Sequence, residues 1–330
     1  MIKFDEQKLR DNLAGGVNLR EEINKVIDSL WGKFDKVCWL GIGGTYASAM
    51  QAQVRIKEKS AFESFVENAA SYYTTGNKRI DDKTLVVMSS VSGTTEEMIK
   101  AAKLCKAHNA RVFGFIDKTN SPLAELVDYT ISYPQDEQLK FFMVADRISY
   151  LNKEFDEYDE LYKEVDRYFA DGIIDVYKQA DNFAAGFAER HHDDKLHYFV
   201  GAGTQWGATY SYAMCYWEEQ HWLRTRAIEA QEFFHGMFEV VDRDTPVTVY
   251  ITEDSQRSLS LRVADFLPKI CGNYDIIDAR DYKMPGFSDK FRGFLSPFIL
   301  HAVNERIDAH IEHINRHPMD IRRYYRKLKY

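Results

Sequence analysis

No run of eighteen apolar residues occurs in this 330-residue chain, so no segment reads as a bilayer-spanning helix. Residues 1–30 are mixed in charge and lack an apolar core, so no signal peptide is expected. Cysteine is scarce: Cys38, Cys105, Cys215 and Cys271 are scattered, with no paired metal-ligand spacing. Each is expected to pack as a small hydrophobe in a reducing compartment, and the cytoplasm is the expected location. Positive charge is also short, with 43 Lys and Arg against 51 Asp and Glu, a net charge of −8 and a pI near 5.7. That balance argues against nucleic acid as the main partner. An anionic ligand would therefore need a local site of backbone N–H groups.

Apolar residues make up 45% and charged residues 28%, enough for real cores, and the length suits two domains of roughly 150 residues each. The first 33 residues read as helix, with Leu13, Val17, Ile23, Val26, Ile27, Leu30 and Trp31 at helical spacing. Lys36–Leu40 is a short apolar run that ends in Gly41-Ile42-Gly43-Gly44-Thr45, and a helical stretch of small residues follows over 47–54. Strand-like runs recur at Thr84–Met88, Arg111–Ile116 and Tyr129–Ser132, with helical segments around Glu96–His108 and Ser121–Val127. This alternation implies a parallel sheet with helices on both faces.

The pattern then repeats. A long charged helical region over Asp146–Arg190 leads into Lys195–Val200 and the turn Gly201-Ala202-Gly203-Thr204. Further strands are expected at Pro246–Thr252 and Asp275–Asp278, and helices at Ser258–Ile270 and Pro297–His313. The charge-rich run Lys153–Arg167 reads as a solvated helix face. The expected organisation is a helical segment over 1–33, an α/β unit over 34–145, connecting helices over 146–192, and a second α/β unit with a tail over 193–330.

Ser89-Ser90-Val91-Ser92-Gly93-Thr94-Thr95 directly follows the Thr84–Met88 strand. Hydroxyls and unpaired N–H groups at a helix start form an anion site, but an N-capped strand–helix turn has the same composition. Gly-Ile-Gly-Gly-Thr is not the dinucleotide fingerprint, because no third glycine follows at the right spacing and no acidic residue is placed to bind a ribose. Further on, Glu219 lies in the aromatic-rich stretch Cys215-Tyr216-Trp217-Glu218-Glu219-Gln220-His221-Trp222, sixteen residues before His235 of Glu232-Phe233-Phe234-His235-Gly236. In an aromatic pocket, desolvation would disfavour the charged form of Glu219 and suit it to act as a base on a carbon acid. An exposed acidic pair and a core imidazole are the plain alternatives for Glu219 and His235.

The Glu…His-Gly spacing, the Ser-x-Ser-Gly-x-Thr loop and the Gly-Gly-Thr turn together resemble the SIS-domain phosphosugar isomerase family, over roughly residues 30–330. The resemblance implies two SIS-type units, each a flavodoxin-like three-layer α/β/α parallel sheet. It implies that Ser90, Ser92 and Thr95 hold a phosphate, with Gly44, Thr45 and Tyr46 close to the sugar. Glu219 and His235 would be catalytic, and His235 would come from a neighbouring subunit, so a homodimer is implied. The tail His317-Pro318, Arg322-Arg323-Tyr324 and the final Tyr330 are similar to fructosamine 6-phosphate deglycases, which act on sugar phosphates glycated onto amino acids such as lysine.

Some departures narrow the choice within that family. The chain begins Met1-Ile2-Lys3, without room for a glutaminase domain, and Met214-Cys215-Tyr216 stand where the amidotransferase-type isomerases place a lysine. Only about 35 residues precede the first strand, too few for the helix-turn-helix of SIS-type regulators. Met237 stands where deglycases have proline, and the segment around Lys140 is irregular. The reaction so implied needs no metal or organic cofactor, because the carbonyl of the sugar is the electron sink. A plain aldose–ketose isomerase, an amino-sugar phosphate isomerase or deaminase, and a non-catalytic phosphosugar-binding protein are the rival readings.

Overall fold

The computed structural model describes residues 1–329, which divide into two compact units: Gln7–Phe169, and Ala170 onward together with Met1–Glu6. In the first unit, five strands run β1 (Lys36–Gly41), β2 (Glu63–Asn68), β3 (Thr84–Ser90), β4 (Arg111–Ile116) and β5 (Tyr129–Ile131). All are parallel, in the order β2-β1-β3-β4-β5. The helices of this unit are α1 (Glu6–Asn18), α2 (Arg20–Leu30), α3 (Gly44–Lys59), α4 (Ala69–Thr75), α5 (Glu96–Ala107) and α6 (Glu137–Leu151).

Covering a parallel sheet on both faces turns its central strands into continuous apolar runs, and β3 is buried along its whole length. Alternate residues then serve opposite faces. Cys38, Leu40, Val86, Met88, Val112 and Ile116 pack with Met98, Ala101, Ala102 and Cys105 of α5. On the other face, the rings of Trp39 and Phe115 each lie 5.8 Å from Phe141 of α6. Fully burying one such aliphatic side chain stabilises the fold by about 1.5–3 kcal/mol. Trp39 can be buried because its indole N–H donates to Ser64 Oγ at 2.8 Å.

The second unit has a four-stranded parallel sheet in the order β7-β6-β8-β9, built from β6 (His197–Gly201), β7 (Thr225–Glu229), β8 (Val247–Ile251) and β9 (Tyr274–Asp278). Its helices include α8 (Thr204–Ser211), α9 (Arg257–Phe266) and α10 (Arg292–Asn315), while α7 (Tyr158–His191) carries the boundary between the units. Both sheets therefore have the same strand order, the second lacking one edge strand. No helix among the described residues is long and apolar enough to cross a membrane.

Several elements differ from expectation. The N-terminal run is two helices that part at Leu19. Ser121–Val127 is a turn and not a helix: Pro122 and the short length limit it, and Leu123 N donates to Gly93 O at 3.1 Å. The charged helical region over Asp146–Arg190 falls on two helices, with α6 ending at Leu151 and α7 starting at Tyr158. Asp146 lies in α6, is fully buried, and is paired with Arg55 at 2.7 Å. The strands β2 and β7 went unread, since edge strands half open to solvent carry polar residues and form no apolar run.

Candidate functional site

A sheet ordered 2-1-3-4-5 opens a crevice at the carboxyl ends of its first and third strands, where the chain leaves in opposite directions. In the first unit the loops 41–45 and 89–95 flank that crevice. Gly43 has φ 60° and ψ −129°, a conformation open to glycine, and it delivers Gly44 as the first residue of α3. Thr45 Oγ1 accepts from Ile42 N and donates to Ile42 O, each at 3.0 Å. The Thr45 hydroxyl therefore closes the turn, and Thr45 can offer a ligand its backbone rather than its side chain. Tyr46 is half-buried, and desolvation, with Glu67 nearby, raises its phenol above the ordinary value.

The second loop is held from within. Ser90 Oγ accepts from Gly93 N at 3.0 Å, and Ser92 Oγ accepts from Thr94 N at 3.2 Å. Gly93 has φ 62°, and a Cβ there would lie 1.9 Å from Ser121 Oγ. The capped-turn alternative would need a side chain on the first N–H groups of α5. Thr95 occupies the N-cap position and makes no such bond. The start of α5 therefore has no cap from its own N-cap side chain and lies beside Ser90 and Ser92, a setting of the kind that binds anions.

A carboxylate that the sequence did not single out lies in the same crevice. Glu137, the first residue of α6, accepts from Ser48 Oγ of α3 at 2.6 Å and from Ser89 Oγ at the end of β3 at 2.5 Å. Nearby Lys140 is buried, which lowers its pKa, and its Nζ donates to Tyr133 O at 2.5 Å. Burial raises the carboxyl of Asp117 at the end of β4, Lys140 opposes that shift and Glu137 adds to it.

The corresponding crevice of the second unit is closed. Gly203 repeats the geometry of Gly43 with φ 61° and ψ −138°. Here Asp254 fills the cradle: its Oδ2 accepts from Thr204 N at 2.8 Å and Thr204 Oγ1 at 2.7 Å. Its Oδ1 accepts from Thr252 Oγ1 and Gln256 N at 2.9 and 3.0 Å.

Glu219 lies in this second unit on a π-helix over Tyr212–His221, a widened helix of the kind found at functional sites. Trp217 anchors it, fully buried, with ring centroids 4.8 Å from His197 and 4.9 Å from Phe199. The enclosed aromatic pocket anticipated for Glu219 is absent: its side chain is 34% exposed and pairs with Arg322 Nε of the tail at 2.7 Å. The tail is tied down beside it, with His317 Nε2 donating to Gln220 O at 3.0 Å and Arg323 stacked 4.1 Å over Trp222. His235 ends a short 3₁₀ helix over Ala230–His235, is exposed, and has no hydrogen bond among the described residues. It is therefore not a satisfied core imidazole. No hydrogen bond or ion pair joins it to Glu219 among the described residues.

His191, Asp194 and His197 bring three possible metal-ligating atoms within 4.8 Å of one another. Both nitrogens of each histidine are already engaged: His191 with Asp194 and Asp275, His197 with Asp194 and Thr248. This closed network explains the cluster without an ion.

The SIS domain family model matches residues 33–148. The chain is 27% identical to fructosamine deglycase FrlB of Bacillus subtilis over 94% of this chain and 98% of that protein. It is 24% identical to fructoselysine 6-phosphate deglycase of Escherichia coli over 88% of this chain and 85% of that protein. The crystal structure of a Bacillus subtilis protein described as a phosphosugar isomerase superimposes with TM-score 0.89 at 25% identity, covering 94% of this chain and 97% of that chain. The strand order, the crevice of the first unit and these matches agree: residues 33–148 match the SIS domain, and the chain is similar over most of its length to deglycases and to a phosphosugar isomerase structure.

Proposed function

We propose that this protein is a fructosamine 6-phosphate deglycase, cleaving a sugar 6-phosphate linked to an amino acid into glucose 6-phosphate and the free amino acid. The observation that carries the reading is the loop at the first unit's crevice, where Ser90 and Ser92 stand beside a helix start whose N-cap residue Thr95 makes no side-chain cap bond, a setting that suits a phosphate. The similarity to fructosamine and fructoselysine 6-phosphate deglycases over most of the chain selects the substrate class.

The chemistry follows from the substrate. A fructosamine carries its amine on C1 beside the C2 ketone. Glu219 takes a C1 proton, giving an enaminol, and a proton is then delivered to C2. The product is a C1 Schiff base, which water hydrolyses to the aldose phosphate and the amine. Arg322 occupies Oε1 of Glu219, so the proton goes to Oε2 or the tail moves aside first. His235 opens the ring or protonates oxygen. Its exposed, unbonded position suits a group that completes a site in a neighbouring subunit, so the working unit is a homodimer.

The test is release of glucose 6-phosphate from fructoselysine 6-phosphate and from α-linked fructose-amino acid 6-phosphates, read with a coupled dehydrogenase. No release from either class, alongside interconversion of fructose 6-phosphate with an aldose phosphate, would replace the deglycase with an isomerase.

A further inference from the structure

We infer that Glu137 is the residue that recognises the cationic amine of the substrate and so selects aminated sugar phosphates over plain ones. The inference rests on the sugar-phosphate reading of the first unit. Glu137 bridges the two sides of the crevice, through Ser48 on the β1 side and Ser89 on the β3 side. Ser89 is adjacent to Ser90, about 3.8 Å along the chain, so the carboxylate lies close to the phosphate loop. No lysine or arginine nitrogen lies within ion-pair distance of it among the described residues, and Lys140 spends its Nζ on Tyr133 O. Beside it, Gln138 has both amide atoms shielded from solvent and unbonded among the described residues.

A carboxylate with no direct ion pair, which Lys140 offsets only through space, is a poor neighbour for a dianionic phosphate ester. Like charges in a partly desolvated site repel, and a ligand bearing only a phosphate pays that repulsion with nothing in return. A ligand that also carries an ammonium group on C1 reverses the balance, because it adds a charge-assisted hydrogen bond to the same carboxylate. Each carboxylate oxygen has used one acceptor site on a serine and can take another donor. The two serines then act as a clamp that aims the carboxylate, and Gln138 offers a further polar contact.

The competing explanation is a purely structural bridge between α3, β3 and α6, which predicts no preference between ligands. The test is calorimetric binding of 1-amino-1-deoxyfructose 6-phosphate against fructose 6-phosphate to the full chain carrying Glu219→Gln, so that neither ligand is consumed. The expected preference for the amine is about tenfold or more, the scale of one charged hydrogen bond. Adding Glu137→Gln should bring the ratio to about one while fructose 6-phosphate binds equally well or better. A ratio near one before the Glu137 change, or an unchanged ratio after it, overturns the inference. The first measurement stands even if the Glu137 variant does not fold. Absence of deglycase turnover by the unaltered protein would count against the proposed reaction alone, because the binding ratio does not depend on turnover.

Discussion

Gly93→Ala probes the phosphate loop with a methyl group whose surroundings are known. Two costs arise, and they can be separated. The backbone at φ 62° is open to glycine and strains an L-residue by about 1–2 kcal/mol. The new Cβ would also meet Ser121 Oγ at 1.9 Å, Ser121 Cβ at 2.5 Å and Ile116 Cγ2 at 3.2 Å. The first two cannot coexist with it, so the loop or the 121–127 turn must shift, at about 1–3 kcal/mol for overpacking. The expected total is about 2–5 kcal/mol of lost stability by urea unfolding. Sugar-phosphate affinity should fall at least about tenfold, because Ser90 and Ser92 are positioned by bonds to Gly93 N and Thr94 N. The double variant Gly93→Ala/Ser121→Gly removes both severe contacts. It should recover the packing share while the strain share remains, and part of the affinity should return. If the single variant binds glucose 6-phosphate with native affinity, the anion does not sit on this loop. If the second change rescues nothing, the contact with Ser121 is not what the methyl group disturbs.

Glu219→Gln should lower kcat for fructosamine 6-phosphate cleavage by about two orders of magnitude or more, with a small change in melting temperature, since a part-exposed ion pair with Arg322 contributes about 0–1 kcal/mol. Retained turnover would remove Glu219 as the base. Mixed dimers of Glu219→Gln and His235→Ala chains should regain up to half of the sites if each site takes one residue from each subunit; no recovery in verified heterodimers would place both residues in one chain. His197 is fully buried, which lowers its imidazole to about 4, so the fold favours its neutral form. That stability is complete above the ordinary histidine range and is lost as pH falls toward about 4, amounting to about 2 kcal/mol between pH 7 and 5. His191 acts in the opposite sense: burial opposes its charge, but Asp194 and Asp275 prevail and raise it. Comparison with His197→Gln isolates the His197 share, and urea unfolding at the two pH values should show a flatter profile in that variant; an unchanged profile would refute the assignment.

The sequence showed what is local and periodic. β1, β3, β4 and β8 are buried on both faces, so they appear as apolar runs, and the two glycine turns follow strands at matching places. Gly43 and Gly203 confirm that repeat in their dihedral angles. What stayed hidden depends on contacts distant along the chain. Glu137 gains its meaning from Ser48 and Ser89, which are 89 and 48 residues away. Arg322 was visible as part of a tail motif, but its pairing with Glu219 spans 103 residues. The π-helix escaped notice because its residues also fit an ordinary helix, and the widened turn is held by packing around Trp217.

The two units share one strand order but differ at the turn after their first central strand, and that difference decides which of them can receive an anion there. In the second unit the cradle already holds an anion. Asp254 satisfies Thr204 N, Thr204 Oγ1, Thr252 Oγ1 and Gln256 N, and a Cβ on Gly203 would lie 2.3 Å from its Oδ2. A phosphate entering there would have to displace a carboxylate that is covalently tethered and fully hydrogen-bonded, which mass action does not favour. The first unit has serines where the second has Thr252-Glu253-Asp254, and the N-cap Thr95 of the following helix makes no side-chain cap bond. Glu219 and His235 lie in the second unit, on a π-helix and a 3₁₀ helix rather than on the sheet's own loops. In the second unit a single internal carboxylate thus takes up the Thr204 donors that an incoming anion would need.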